Sequence, residues 1–492
     1  MTLGWVGRFY APRARARPET KGQVTTGPRE VGPGNEHRQF VRNDDRGVFM
    51  KRSGCIVSRL AVLGTLALLG PARVESQEAS ASSGRVNQVL EWNQIFIDTL
   101  VATNTANSSS QRLGAIVHTA IFDAYNAVDR RFTPVFVHSA APTDASARAA
   151  VIAAAYTALV GLFPSQQPTL DVSYAASLAN LIDHCDHRGP PPGRRRPCAT
   201  RIERGVAWGS EVAHAVLGWR ANDGFSLSYP PFVGGTAVGQ WRPVPPATSM
   251  SAQGLAFTDP FVLVSNTQFQ PEPPRGLHTS RYTRDFDTVT SLGRKTGSSR
   301  TDDQTALAPF WEGNASVHWN QAANQIARAN ALSIADSNRL LAVLNIAMAD
   351  TAFTVWSAKR YYGASPFAVT WRPATSIPLA DTDGNPETAP DPGWVPLVTT
   401  PSHPEYPAGH PSQNGAAATV LLAHFHRRQT FTLTTNGQPS RTYTSITQAR
   451  SDGNNARVWG GMHYPSTVAV SDRLGEAIAE YVNEHSMTRL RR

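Results

Sequence analysis

The chain has 492 residues, of which 41% are hydrophobic and 17% are charged, and its formal net charge is +9. This length allows about three domains of ordinary size or one large core. The positive charge would favour an anionic partner such as nucleic acid, but it is concentrated at the start of the chain. Residues 1–76 hold 13 of the 46 Lys and Arg and 6 of the 37 Asp and Glu, so the remainder carries a charge of +2. We therefore predict no nucleic-acid partner.

The first 76 residues are predicted to form two segments outside the folded protein. Residues 1–49 are rich in Arg, Pro and Gly without an amphipathic period, which predicts a non-native leader or a disordered segment. Residues 50–76 have the parts of a secretory signal peptide: cations, an apolar run at 60–69, and short residues near position 76. This run is too short to span a bilayer, and an internal buried helix is the alternative. We predict an exported protein, periplasmic or extracellular, without stable membrane insertion after signal removal.

Two of the three cysteines, Cys185 and Cys198, flank a segment rich in Pro, Gly and Arg. In an exported protein they are expected to close this segment as a disulfide, and two free thiols are the alternative. The sequence contains no Cys-x-x-Cys pair, so it gives no support for a structural zinc site.

Apolar residues recur at intervals of three and four along many segments, which predicts helices with one buried face. We predict an N-terminal helical part at residues 77–334 and a catalytic part at 335–492 packed on it. The predicted helices cover residues 113–124, 145–162, 170–182, 202–219, 281–292, 315–331, 337–359, 413–427 and 467–484.

The remaining segments complete an all-α fold class, an elaborated helical bundle with a minor β-hairpin. Residues 223–275 are dense in Pro, Gly and aromatic residues, which predicts a long ordered loop. Short β-prone runs at 431–433 and 441–445 surround Asn436 and Gly437, which predicts the hairpin. Residues 381–385 look like a calcium loop, but Pro392 stands where its glutamate is needed, which favours a plain turn.

Three segments in the last third of the chain combine long cations with histidines. They are Lys359 with Arg372-Pro373, the run from His403 to His410, and Arg457 with His463. Each alone is more often a surface or core feature than a catalyst, but their joint occurrence favours an anion site. Guanidinium groups donate paired hydrogen bonds to oxyanions, and a lysine adds a point charge.

The positions of Gly409 and His410 also favour an anion. They precede a helix predicted to begin near Gln413, and the N–H groups and dipole of a helix start attract negative charge. Glycine lets the backbone approach a bound oxygen closely. His463 likewise lies just before a predicted helix, so the two histidines would flank one anion, one as nucleophile or ligand and the other as acid or base.

These segments resemble the vanadium-dependent haloperoxidase and type 2 phosphatidic acid phosphatase superfamily, and its bacterial haloperoxidase branch in particular. The superfamily motifs are Lys-x6-Arg-Pro, Pro-Ser-Gly-His and Ser-Arg-x3-Gly-x-His-x3-Asp. The matching residues of this chain are Arg372-Pro373, Pro407-Ala408-Gly409-His410, and Ala456-Arg457 with Gly461 and His463. Upstream pieces such as residues 89–93, 112–126 and 303–304 extend the resemblance over most of the chain that follows residue 76.

The resemblance implies an oxyanion held by four groups of the chain. Lys359, Arg372 and Arg457 would bind the equatorial oxygens of vanadate, or of phosphate if phosphate is a substrate and no cofactor is used. Gly409 would add a backbone N–H.

The resemblance also implies the catalytic groups. His463 would be the vanadium ligand in a peroxidase, or the phosphorylated nucleophile in a phosphatase, and His410 would be the acid or base. His403 matches a position where bromoperoxidases carry histidine, which favours bromide.

The implied function is a vanadate-dependent haloperoxidase that oxidises halide with hydrogen peroxide to hypohalous acid, which then reacts with an organic acceptor. One alternative is an exported acid phosphatase that cleaves a phosphate ester through a phosphohistidine. Another is a catalytically impaired oxyanion-binding homologue. A homodimer is compatible with the sequence.

The chain departs from the superfamily motifs at four places, one of which is Ala456 in place of the Ser before Arg457. Lys359 and Arg372 are separated by twelve residues instead of six, and Arg360 is the alternative cation. Ala408 replaces the hydroxyl residue, which removes a hydrogen bond to the anion. Thr467 stands where the family has the Asp that orients the axial histidine.

Overall fold

The computed structural model describes residues 86–186 and 197–490. These residues form thirteen α-helices and a two-stranded sheet, so the predicted all-α class with a minor hairpin is confirmed. The predicted leader and signal peptide lie outside the described residues. Cys198 is disulfide-bonded, and the side chain of its predicted partner, Cys185, lies outside the part of the chain that the structure describes.

The helices follow one another with few strands between them. The first six are α1 (Gln88–Ala102), α2 (Asn107–Asp129), α3 (Ala147–Leu162), α4 (Gln167–Asp186), α5 (Cys198–Arg220) and α6 (Ser280–Gly293). The others are α7 (Asp302–Phe310), α8 (Ala315–Ala329), α9 (Ile334–Ala364), α10 (Pro373–Ser376), α11 (Gly409–His424), α12 (Ile446–Trp459) and α13 (Pro465–His485). The strands β1 (Phe431–Leu433) and β2 (Arg441–Tyr443) pair antiparallel. The sequence did not predict α1, α7, α10 and α12.

The longest helix, α9, forms the centre of the core. It packs against α2, α11 and α13, and nearly all of its side chains up to Lys359 are buried. It is apolar and long enough to cross a membrane, but 94% of its most apolar stretch is buried inside the protein. The helix ends at Ala364 because Ser365 precedes Pro366, and a residue before proline disfavours helical backbone.

Two buried aspartates fasten irregular segments to the central helices. Asp123 of α2 and Asp350 of α9 are both fully buried. The carboxylate of Asp123 accepts three backbone hydrogen bonds of 2.8 Å from residues 135–137, and that of Asp350 accepts three of 2.7 to 3.0 Å from residues 261–263. Charged acceptors make stronger hydrogen bonds than neutral ones. The predicted long loop is therefore ordered by a charge within the core.

A buried ionic cluster holds the start of the same loop. Arg112 and Arg220 both donate to Oδ2 of Asp223, at 2.7 and 2.8 Å. The other carboxylate oxygen accepts a hydrogen bond from the Phe225 N–H at 3.1 Å. All three charged side chains are at least nine-tenths buried, so each arginine has its counter-charge in direct contact.

Helices α11 and α13 cross with their backbones in contact. A Cβ atom added to Gly415 would overlap the backbone oxygen of Asp472, and one added to Gly475 would overlap that of Ser412. Only glycine permits this approach. The crossing fixes α11 and α13 relative to each other, and both helices begin at the candidate site.

Candidate oxyanion site

The candidate site forms where α9, α10, α11 and α12 end or begin. A cavity of about 220 Å³ is lined by five of the seven predicted site residues, which are His403, Gly409, His410, Arg457 and His463. Arg372 contacts two of these five directly. The rest of the wall is formed by Asn107, Ser108, Gln111, Ser251, Glu312, Ala352, Trp356, Pro401 and Gln413. The structure thus brings the three predicted segments together.

Arg372 connects two histidines of the cavity. Its guanidinium donates to the backbone oxygens of His403 and Met462 at 2.9 and 2.8 Å. It also contacts His403 Nδ1 at 2.8 Å and His463 Nε2 at 3.0 Å. Arginine can only donate, so both of these ring nitrogens accept. His463 therefore carries its proton on Nδ1, and its Nε2 lone pair faces the cations.

Arg457 lies at the end of α12 and is 2% exposed. One terminal nitrogen donates to the Trp311 carbonyl oxygen at 3.2 Å, and the other contacts Met462 Sδ at 2.9 Å. Its buried Nε has no hydrogen-bond partner among the described residues. A thioether is a weak acceptor, so this guanidinium retains donor capacity for a ligand.

Lys359, on α9, does not line the cavity but contacts the backbone of the segment that follows His403. Its Nζ donates to the Pro404 oxygen at 2.5 Å and contacts the Glu405 oxygen at 3.4 Å. Arg360 instead lies over the rings of Phe232 and Phe257. Lys359 is therefore the cation that α9 supplies to the site, even though twelve residues separate it from Arg372.

The charges of this site are not cancelled by contact with carboxylates. None of the ion pairs among the described residues involves Lys359, Arg372 or Arg457. Burial lowers the pKa of Arg372 to about 9, with Glu405 opposing the shift, and that of Arg457 to about 10, with Glu312 opposing it. Burial also lowers the pKa of Lys359 well below its usual value, and Arg372 adds to the effect. A buried anion would relieve all three shifts.

The three histidines of the cavity are held neutral. Burial lowers the pKa of His403, His410 and His463 well below the usual value, and nearby cations add to the effect. His410 Nε2 lies 3.1 Å from the Gly313 oxygen, which can only accept. The His410 proton is therefore on Nε2, and Nδ1 is free to take a proton.

The start of α11 supplies backbone donors. The helix begins at Gly409 and not near Gln413 as predicted, so Gly409 and His410 occupy its first turn. N–H groups in a first turn have no partner within the helix. Ala408 is the N-cap and provides no side-chain hydrogen bond, so the departure from the family's Ser leaves these donors uncapped. The ring of Trp356 covers the Gly409 Cα face at ordinary contact distance.

Glu405 is a buried carboxylate that the sequence reasoning overlooked. Its Oε1 lies 3.0 Å from His463 Nδ1 and accepts the Tyr464 N–H at 3.1 Å. Its Oε2 accepts the Thr467 hydroxyl at 2.9 Å. Burial raises the Glu405 pKa, and Arg372 and Lys359 oppose the shift. The signal was present, since Glu405 follows His403 by two residues and the motif position at Thr467 lacks a carboxylate.

The donor set of this site fits a tetrahedral oxyanion. The cavity has an orphaned guanidinium nitrogen, the uncapped start of a sixteen-residue helix, and an unprotonated histidine nitrogen whose lone pair accepts from Arg372. Its volume of about 220 Å³ is large enough for a small anion. Vanadate and phosphate share this shape and charge, and the residues present fit both.

Comparisons with known proteins give the class to which this fold belongs. Residues 339–492 match the family model described as the VCPO second helical-bundle domain. A bacterial vanadium-dependent iodoperoxidase aligns with a TM-score of 0.66 and 20% identity, covering 82% of this chain and 98% of its own. The apo form of a bacterial vanadium-dependent chloroperoxidase aligns with 0.57 and 18%, covering 77% and 94%. Its holo form gives 0.55 and 17%, covering 77% and 91%. No curated protein sequence matches the chain.

The chain therefore has the fold of the vanadium haloperoxidase superfamily, as the sequence motifs predicted, and residues 339–492 carry its second helical-bundle domain.

Proposed function

We propose that this protein is a vanadate-dependent haloperoxidase that oxidises halide with hydrogen peroxide to hypohalous acid. The observation that carries the proposal is a pair of buried guanidinium groups that contact no carboxylate. Arg457 lines the cavity, and Arg372 contacts His463 in its wall. An isolated buried cation is costly. A site with two such cations is suited to bind an anion, because the negative charge offsets the desolvation cost of the cations.

The chain's own groups would share the work in three parts. Arg372, Arg457 and the first N–H groups of α11 would hold the oxygens of vanadate, and Lys359 would add positive charge nearby. His463 Nε2 would be the single protein ligand. Bound vanadate supplies the Lewis-acid centre that activates peroxide toward halide.

His410 is the proton carrier of the proposed site. Its neutral ring has an unprotonated Nδ1, and its position is fixed by the hydrogen bond from Nε2 to the Gly313 oxygen. An unprotonated imidazole nitrogen in a site can act as a general base toward a substrate that lies within hydrogen-bond reach. His410 would hold at Nδ1 a proton taken from hydrogen peroxide and would give it back later in the reaction.

The size of the cavity favours small substrates. Pockets for drug-sized ligands usually measure about 300 to 1,000 Å³, and this one measures about 220 Å³. Peroxide and halide fit beside an oxyanion of this size, whereas a large phosphate ester would have its organic part outside. This difference favours the peroxidase over the phosphatase.

Bromide is the halide that we propose. His403 lines the cavity, accepts from Arg372, and lies 5.2 Å from the Trp356 ring. It stands where the resemblance to bromoperoxidases places histidine. His403→Phe is expected to lower the ratio of bromide to chloride kcat/KM, with each halide measured on the same enzyme preparation.

One experiment tests the proposal against both alternatives. The purified chain is equilibrated with orthovanadate and assayed for bromination of a phenolic dye with peroxide, and for hydrolysis of an aryl phosphate. Vanadate-dependent bromination supports the haloperoxidase. Hydrolysis inhibited by vanadate would establish the phosphatase instead, and silence in both assays would favour the impaired oxyanion-binding homologue.

The matched variants for this experiment are two histidines. His463→Ala removes the proposed ligand and is expected to abolish bromination. His426→Ala changes an exposed histidine outside the cavity and should leave the rate unchanged. Retained bromination in His463→Ala would show that the site is elsewhere.

A further inference from the structure

Glu405 and Thr467 together occupy the role that one carboxylate has in the motif of the superfamily. The motif places Asp four residues after the axial histidine, one helical turn away. This chain has Thr467 there, and the Thr467 hydroxyl donates to a carboxylate that arrives from another segment, at 2.9 Å. That carboxylate, Glu405, lies two residues after His403 in the loop before α11.

The hydrogen bonds around His463 are consistent with a single proton arrangement. Arg372 donates to Nε2 at 3.0 Å, so the ring proton must be on Nδ1. That Nδ1 lies 3.0 Å from Glu405 Oε1. A carboxylate there favours the Nδ1–H tautomer and orients the ring. The two sides of the imidazole therefore specify the same tautomer independently.

The carboxylate is itself fully constrained. Oε1 accepts the Tyr464 N–H as well as His463, and Oε2 accepts Thr467. Glu405 is 1% exposed, so water does not compete for these contacts. The backbone of the same residue contacts Lys359 Nζ at 3.4 Å, which connects the carboxylate segment to the cation of α9.

We propose that Glu405 is the positioning residue for His463, with Thr467 holding the carboxylate in place of the aspartate expected from the motif. The inference rests on the proposed function in so far as His463 is the vanadate ligand. It places the carboxylate that orients His463 in a different segment of the chain, the loop that precedes α11.

Two substitutions with the same charge separate positioning from simple electrostatics. Glu405→Gln and Glu405→Leu both remove one negative charge, but only Gln keeps an oxygen that can accept from His463 Nδ1 and the Tyr464 N–H. If Glu405 acts by its charge alone, the two variants will behave alike. If it acts by orienting the imidazole, Glu405→Leu will have much the larger effect.

The first measurement is the tautomer of His463, by ¹⁵N NMR of histidine-labelled full-length protein, with His463→Ala for assignment. The wild type is expected to carry its proton on Nδ1, and Glu405→Gln should keep it there. Glu405→Leu should lose this signature. A wild-type proton on Nε2 would overturn the inference without any reference to vanadate.

The second measurement is the dissociation constant of vanadate by equilibrium dialysis. Loss of a group that orients a metal ligand weakens binding on the order of tenfold or more. We expect at least this loss for Glu405→Leu, and a much smaller one for Glu405→Gln. Equal losses in both variants would contradict the inference.

The decisive variant restores a carboxylate at the position the motif uses. Glu405→Leu combined with Thr467→Asp should recover vanadate binding and the Nδ1 tautomer, and failure to recover in a folded double variant counts against the inference. If Glu405→Leu alone does not fold, the double variant is compared directly with the wild type. If neither variant folds, the His463 tautomer of the wild type decides the inference. A wild type that binds no vanadate would sink the proposed function, while the tautomer would still decide the inference.

Discussion

Two groups of buried arginines in this protein have opposite surroundings. Arg112 and Arg220 share the carboxylate of Asp223, at 2.7 and 2.8 Å. Arg372 and Arg457 are equally buried but contact only carbonyl oxygens, imidazole nitrogens and a thioether.

The difference separates buried arginines that stabilise the fold from buried arginines that are suited to bind a ligand. A guanidinium in contact with its counter-ion stabilises the fold, since removal of either partner leaves the other buried without a counter-charge. A guanidinium that has no counter-ion in contact is destabilised by the free energy of its desolvation. A ligand of opposite charge can offset this cost. The first cluster is therefore structural, and the second belongs to the proposed anion site.

The largest expected effect tests the structural cluster. Asp223→Asn would leave Arg112 and Arg220 buried without a counter-charge, and breaking such a pair costs about 3 to 5 kcal/mol. Urea unfolding should show this loss in the free energy of unfolding. Asp303→Asn, which breaks the exposed ion pair with Arg441, should cost less than about 1 kcal/mol. Equal losses would remove the distinction between the two kinds of pair.

The next effect tests the anion site. Arg457→Met removes charged hydrogen bonds worth about 1.5 to 3 kcal/mol to a bound anion, so vanadate should bind roughly ten- to a hundredfold more weakly. The free energy of unfolding should stay the same or rise, because an unpaired buried charge is removed. Arg457→Lys keeps the charge without the fork and should bind with intermediate affinity. A destabilised Arg457→Met protein with unchanged vanadate affinity would make Arg457 structural.

A smaller effect concerns the buried side chain of His318, whose neutral form is favoured by its surroundings. His318 stacks on Phe310, and neither ring nitrogen has a hydrogen-bond partner among the described residues. Burial lowers its pKa to about 4, while the unfolded chain titrates near 6.5. The unfolded state therefore binds the proton first, and stability is lost as the pH falls from 6.5 toward 4.

The comparison variant for this pH effect is His318→Phe. Between pH 7 and pH 5, the wild type should lose about 1 to 2 kcal/mol more free energy of unfolding than the variant. Urea unfolding at the two pH values measures both losses. Parallel losses would mean that His318 is protonated in the folded protein.

The smallest effect adds a donor to the site. Ala408 has the extended backbone of an N-cap residue (φ −84°, ψ 131°) but no side chain to cap α11. Ala408→Ser should stabilise the protein by about 0.5 to 1 kcal/mol through the cap, and should tighten vanadate binding a few-fold. Chemical unfolding and equilibrium dialysis measure the two gains. Weaker vanadate binding in this variant would show that the hydroxyl obstructs the anion.

The sequence predicted the fold class and most helices because their apolar residues recur at helical spacing. The positions of the missed helices α7 and α12 are marked by caps more than by an apolar face. Thr301 and Gln304 form a capping box at α7, and Ser445 caps α12. Caps are local signals that sequence reasoning can use.

The predicted site residues came from motifs, and the structure brings them together, while their catalytic roles stay predictions. What sequence spacing could not supply was the contact between Glu405 and Thr467, which are 62 residues apart. Sequence spacing also could not place Lys359 relative to Arg372, because residues 365–372 between α9 and α10 are not helical. Contacts between segments depend on how the helices pack, which local patterns do not encode.

The glycine crossing of α11 and α13 makes the geometry of the site a property of the backbone. Gly415 and Gly475 do not line the cavity, yet the close backbone approach at each of them determines how far apart the starts of the two helices lie. A single methyl group there would push the helices apart and change the separation of the two imidazoles. The dimensions of the anion site are thus sensitive to positions outside it, and tolerant of exchanges among the larger core side chains that leave the crossing untouched.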